Sequence, residues 1–136
     1  MKKAVLCFLL IAVMIAAMLS GFAETVEVDL DLSTMTTSIA YAQMVAILRD
    51  PAAYVGKTLR IAGSFNYSEL RQRAVIIVAD KSACCETSLD FITAQELAYP
   101  DDYPGLYKRF TVVGTLTASE EAEIGYLLAD AVIEAI

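Results

Sequence analysis

Arg109-Phe110-Thr111-Val112-Val113-Gly114-Thr115-Leu116-Thr117-Ala118 commits this chain to β structure before any other segment is considered. Phe110, Val112, Gly114 and Leu116 alternate with Thr111, Val113, Thr115 and Thr117, the period of two that belongs to an extended strand. The same alternation runs through Leu59-Arg60-Ile61-Ala62-Gly63-Ser64-Phe65, where Leu59, Ile61, Gly63 and Phe65 share one face. Both strands therefore carry a glycine in the row that should face the core. A glycine at such a position serves a bulge, a tight bend or a close backbone approach.

Working outward, Ser68 to Gln72 reads as a polar turn, and Ala74 to Ala79 is a continuous apolar run that must be buried, so these segments form a hairpin with the first strand. Ser88 to Thr93 is a shorter strand, Glu120, Glu121 and Glu123 mark an exposed turn, and Gly125 to Glu134 closes the set at five strands. Ahead of them, Tyr41, Met44, Val45 and Leu48 fall at i, i+3, i+4 and i+7 and share a helix face. The helix is predicted from Ser38 to Arg49, capped by Thr37 or Ser38 and ended by Asp50-Pro51, with a short turn to Tyr54. The fold class is mainly β with one preceding α-helix. Five strands in this order, with Gly63 and Gly114 at mid-strand, resemble an OB-fold, a small five-stranded Greek-key barrel. A β-sandwich is the rival, but five or six strands in about 85 residues close into a barrel more easily than they cover two sheets.

The N-terminus has the pattern of a secretory signal. Lys2 and Lys3 precede Ala4 to Leu19, a run without charge, and Gly21 and Ala23 place small residues at the minus three and minus one positions of a cleavage site. Residues 1–23 are therefore expected to be a signal peptide, residues 24–35 an extended acidic segment, and residues 36–136 the helix plus OB-like domain. The alternative is an uncleaved anchor, which would be the chain's only membrane contact. Phe22 stands where a lipoprotein signal would place cysteine. The expected location is periplasmic, cell-surface or secreted. Within 24–35, Val26, Val28, Leu30 and Leu32 alternate with Glu27, Asp29 and Asp31, suiting an edge strand or a tether.

Loss of Lys2 and Lys3 takes the formal net charge from −7 to −9. Such a surface repels phosphate backbones, so nucleic acid is not an expected partner. Arg60, Arg71 and Arg73 fall near the first hairpin, yet a stacking groove needs aromatics along a basic track. The chain has no histidine, no glycine-rich phosphate loop and no Cys-x-x-Cys, which removes the motifs of triads, zincins, nucleotide cradles and thioredoxin-like enzymes. No catalytic residue is indicated.

Cys84-Cys85 is the one distinctive chemical feature, since Cys7 lies inside the signal segment. Adjacent α-carbons are about 3.8 Å apart, shorter than the usual span of a disulfide, so a bond between the pair would be strained and easily reduced. Three roles stay open: a thiolate metal site, a vicinal redox pair, or two inert packed cysteines. As a metal site the pair would need Asp80, Glu86, Asp90 or water as further ligands, and such an open site would suit a soft ion such as copper(I), or zinc held weakly, better than a closed structural zinc. A second cluster, Tyr99-Pro100-Asp101-Asp102-Tyr103-Pro104, reads either as a ligand lip built from Tyr99, Asp101, Asp102 and Tyr103 or as a rigid solvated connector.

These features together resemble two groups. Asp50-Pro51 to Tyr54, Gly56-Lys57-Thr58, Val78-Ala79-Asp80 with Cys84-Cys85 following, and Tyr99 to Pro104 are similar to small exported bacterial proteins of unknown function that carry a helix and an OB-like barrel. The likeness spans about Ser33 to Ile136. The Cys-Cys pair is also similar to that of extracytoplasmic OB-like domains associated with permeases, which implies metal handling. There an alanine-aspartate pair follows the cysteines, whereas here Ala79-Asp80 precedes them. The implied function is a non-enzymatic extracytoplasmic binding module for a metal ion, a small ligand or another exported protein. N-terminal sequencing of the exported chain should begin at Glu24; a mature protein that retains Met1 to Ala23 contradicts the cleavage.

Overall fold

The computed structural model describes residues 26–134, so the expected signal segment lies outside the described residues. The elements are β1 (Leu30–Asp31), α1 (Thr37–Arg49), a 3-10 turn (Pro51–Tyr54), β2 (Thr58–Ser68), β3 (Arg73–Ala79), β4 (Glu86–Thr93), β5 (Arg109–Ala118) and β6 (Tyr126–Glu134). The fold is mainly β, with one α-helix and one mixed sheet in the order β1-β2-β3-β4-β6-β5. Because β5 also pairs with β2, each of the five long strands has a partner on both sides. The sixth strand, β1, is additional to the five expected. It runs parallel to β2, and Asp29 fixes its start by accepting from the Thr58 amide at 2.7 Å.

Two glycines let the strands bend into this arrangement. β2 pairs with β5 from Thr58 to Ser64 and with β3 from Ser64 onward, so Gly63 sits where the strand takes on its new partner. A Cβ there would lie 2.4 Å from the Ile77 carbonyl oxygen and 2.8 Å from Ile76 Cγ1, closer than any real contact. Gly114 occupies the irregularity in the β5–β6 ladder between Val113 and Thr115, where a Cβ would meet the Ala129 carbonyl oxygen at 3.1 Å. Both are close approaches of backbone to backbone, as their inward positions in the sequence suggested.

The inward row is as the alternation predicts: Leu59, Ile61, Phe65, Phe110, Val112 and Leu116 are all buried. Phe65 meets Phe91 and Phe110 edge-on, with ring centroids 6.5 Å and 5.7 Å away, near the favoured geometry for aromatic pairs. Leu32, just beyond β1, is buried in the same cluster. The helix joins it through Ala40, Met44 and Ile47; of the expected row Tyr41, Met44, Val45 and Leu48, only Met44 is fully buried. Tyr41 and Leu48 flank the seam instead. Ala40 accounts for the rotation: the expected pattern followed large apolar residues, whereas close packing placed a small one at the contact. Thr36 is the N-cap residue, one position before the expected cap, and its side chain makes no capping bond.

Arg60, Arg71 and Arg73 do not gather into a basic patch. Arg60 pairs with Asp31 at 3.2 Å and Glu134 at 2.9 Å. Arg71 binds Asp90 at 3.2 Å and Glu123 at 2.9 Å, while Arg73 binds Glu121 at 3.1 Å. Asp90, only 3% exposed, is thereby committed to a clasp that ties the β5–β6 turn to the β2–β3 turn and β4. Burial opposes ionisation of Asp31, but bonds from Ser33 and Arg60 together outweigh it and hold that carboxyl below the ordinary range. Among the described residues no helix is long and apolar enough to cross a membrane.

Gly63→Ala should lower folding stability by about 2 to 3 kcal/mol, because backbone atoms must move. Gly125→Ala, at a φ of +78° but in open space, should cost only about 1 kcal/mol. Urea denaturation of the two variants checks the ranking, and equal losses would contradict the close-approach account.

Candidate metal centre

The β3–β4 connection is built by its first residue. Asp80 and Cys85 extend the ladder past Ala79 and Glu86, with the Asp80 amide donating to the Cys85 carbonyl at 2.9 Å. The Ala83 amide then donates to the Asp80 carbonyl at 3.1 Å, closing a turn over Lys81 and Ser82. Aspartate suits the first position of such a turn because its side chain can accept from donors within the loop. Here Oδ1 accepts from the Cys84 amide at 3.2 Å and Oδ2 from the Ser82 hydroxyl at 2.8 Å. Ala83 has a φ of 54°, the left-handed region that an L-residue enters at a cost of roughly 1 to 2 kcal/mol. That reversal turns the Cys84 thiol back toward Asp80.

The result is a group of three donors. Asp80, Cys84 and Cys85 each offer an atom within 4.8 Å of the others. The two Sγ atoms stand 3.6 Å apart, with no bond between them, and Cys84 Sγ lies 3.5 Å from Asp80 Oδ2. Both thiols are exposed.

These spacings can be set against coordination geometry. Bonds of about 2.3 Å to sulfur and about 2.0 Å to oxygen at tetrahedral angles put two sulfurs about 3.8 Å apart and a sulfur about 3.5 Å from a carboxylate oxygen. A linear two-coordinate ion with the same bond length would need its sulfurs about 4.6 Å apart. The two edges that meet at Cys84 Sγ therefore match those of a tetrahedral ion of zinc's size, the Cys85–Asp80 edge lies within 4.8 Å, and the sulfur separation is about 1 Å short of a linear copper(I) dithiolate.

Electrostatics favours a cation in the same place. The Ser82 hydroxyl, ahead of the Cys84 thiol and the backbone amides of Cys84 and Cys85, holds the Asp80 carboxyl below the ordinary range and keeps it anionic. The Cys84 thiol beside it, followed by burial and then the charge of Asp80, pushes the Cys85 thiol up. A bound cation would reverse that upward push, since a coordinating thiol gives up its proton.

The remaining expected ligands lie elsewhere. Glu86 follows Cys85 on the strand and so points to the opposite face, where it borders a depression with Asn66 and Arg71. Asp90 is held in the clasp. Of the second cluster, Asp101 is exposed and Asp102 accepts from the Ala98 amide at 2.9 Å within its own loop. Tyr99 stacks on Tyr67 with centroids 3.8 Å apart, and Tyr103 stacks on Phe65 at 5.4 Å. Neither aspartate joins a three-donor group among the described residues. Its tyrosines pin the segment against Phe65 and Tyr67. Sequence reasoning missed Ser82, whose role depends on the curl of the loop and carries no separate signal.

No protein-family model matches the chain, and neither does any curated protein at a significant level.

Ser82→Ala removes the chief bond to the Asp80 carboxylate and should move its pKa upward, toward the ordinary aspartate value. Carboxyl ¹³C shifts followed against pH measure this, and an unmoved titration would mean that Ser82 does not orient Asp80.

Proposed function

We propose that this chain is an exported, non-enzymatic binding module that holds a thiophilic metal ion, zinc in the first instance, at Asp80, Cys84 and Cys85. The observation that carries the proposal is the grouping of three donors within 4.8 Å, two of whose edges, 3.6 Å and 3.5 Å, match those of a tetrahedral ion. The two thiolates and the carboxylate would hold the ion, and when bound it supplies a Lewis-acidic position for a water or a partner's side chain. A site of this openness suits uptake and release better than a closed structural role. Export follows from the Met1–Ala23 pattern, and the resemblance to permease-associated extracytoplasmic domains points to the same metal chemistry.

The scaffold of this module is, in our reading, an OB-like barrel. The support is the ring of pairings β2-β3-β4-β6-β5 and back to β2, with β4 and β6 parallel, together with glycines at the two bends. Arg71 of the β2–β3 turn and Arg73 at the start of β3 are paired with carboxylates rather than free, which agrees with the acidic composition in arguing against nucleic acid.

Protein purified anaerobically should carry or take up one zinc ion per chain, and a Cys84→Ser, Cys85→Ser double variant should carry none. Asp80→Asn should weaken binding by at least about tenfold. Affinity should fall as pH falls, because metal and protons compete for the thiolates. Metal retained in the double variant, or two thiols that neither metal nor reagent can reach, would sink the proposal. Reversible loss of two thiols without metal binding would transfer the site to redox chemistry.

A further inference from the structure

β6 runs past the end of its partner β4, and its last residues leave one edge open. The Ala131 carbonyl accepts from the Ala94 amide at 2.9 Å, and among the described residues no backbone bond between the two segments follows it. Val132 and Glu134 pair with Val113 and Thr111 of β5. Alternation along the strand therefore turns the amide and carbonyl of Ile133 back to the β4 side. By that point β4 has left the sheet, because the Thr93 hydroxyl donates to the Gln95 carbonyl at 2.7 Å and curls the chain away. Open strand groups of this kind are a template for pairing with another chain.

A groove of about 340 Å³ lies in the vacated lane, walled by Ala94, Leu97, Ala131, Val132 and Ile133. Val132 is 49% exposed. A hydrocarbon chain would fill such a groove but brings nothing for the amide and carbonyl of Ile133. An extended peptide satisfies both, since its main chain bonds the edge and its alternate side chains enter the apolar space.

Charge selects the peptide. Asp102 is the charged residue of the groove wall, and the exposed Glu96 and Asp101 adjoin wall residues on the same connection. A second copy of this chain is a poor occupant: its own alternating segment, Val26 to Leu32, carries Glu27, Asp29 and Asp31, and the whole chain has a net charge of −7. Like charges brought together at a rim oppose association. We propose that the Ile133 edge binds an extended basic segment of another protein, apolar residues alternating with lysine or arginine, added as a strand beside β6.

The test titrates capped hexapeptides of alternating lysine and valine, or of glutamate and valine, into the ¹⁵N-labelled full-length chain. The lysine–valine peptide should bind, with shifts centred on Ala94, Leu97, Val132 and Ile133 and with slower hydrogen exchange at the Ile133 amide. Methylating the peptide's backbone amides should weaken binding by about tenfold, because the strand bonds are lost. The glutamate–valine peptide should bind at least about tenfold more weakly, and the difference should narrow as salt rises. Val132→Lys, at an exposed position, should weaken binding of the lysine–valine peptide by at least about tenfold. The Cys84→Ser, Cys85→Ser variant should bind as the parent does. No binding of the lysine–valine peptide, unchanged exchange at Ile133, equal binding of the methylated peptide, or self-association through these residues in its absence would each overturn the proposal.

Discussion

The antiparallel pairing of Thr58–Ser64 with Arg109–Thr115 is the constraint on which the rest of this molecule depends. Without it the five long strands would be an open sheet with two long edges, each a template for association. With it, every long strand is paired on both sides. The pairing is possible only because Gly63 clears the Ile77 carbonyl while β2 takes on β3 as its partner. A large apolar row then fills the interior, and the helix adds Ala40, Met44 and Ile47 to it.

Placement of the chemistry follows from this frame. β3 and β4 are held rigidly, β3 by β2 and β4 by β6, so the short connection between them has its ends fixed. Inside that connection the donor positions rest on a few local choices: an aspartate that opens the turn, a serine that orients it, and a left-handed alanine that brings the first thiol back. At the other end of the same strand pair, the aromatic connector is anchored by Tyr99 on Tyr67 and Tyr103 on Phe65. One pair of strands thus carries two chemically distinct ends.

Much of the fold was legible in the sequence, because a period of two fixes both the strand and its inward face, and because glycines in the inward rows at 63 and 114 had few other uses. The helix was legible as a helix but not in its packing face, since Ala40 carries too little hydrophobic signal to outrank Tyr41 and Val45. The strand Leu30–Asp31 was hidden by its length: two residues pair only because Asp29 and Arg60 hold them against β2. At the site, Asp80, Cys84 and Cys85 were identifiable by type and nearness. Glu86 was grouped with them by nearness along the chain, and strand alternation sends it to the other face. Arg60, Arg71 and Arg73 suggested a cluster until their carboxylate partners, up to 74 residues away in the chain, were in view.

On the function proposed above, Asp80, Cys84 and Cys85 form three vertices of one tetrahedral site. X-ray absorption at the zinc edge, on full-length protein loaded with one equivalent of zinc, addresses it directly. The account predicts two sulfur neighbours at about 2.3 Å and two lighter neighbours near 2.0 Å. A shell of four sulfurs, which requires two chains to share an ion, or a shell without sulfur would contradict it.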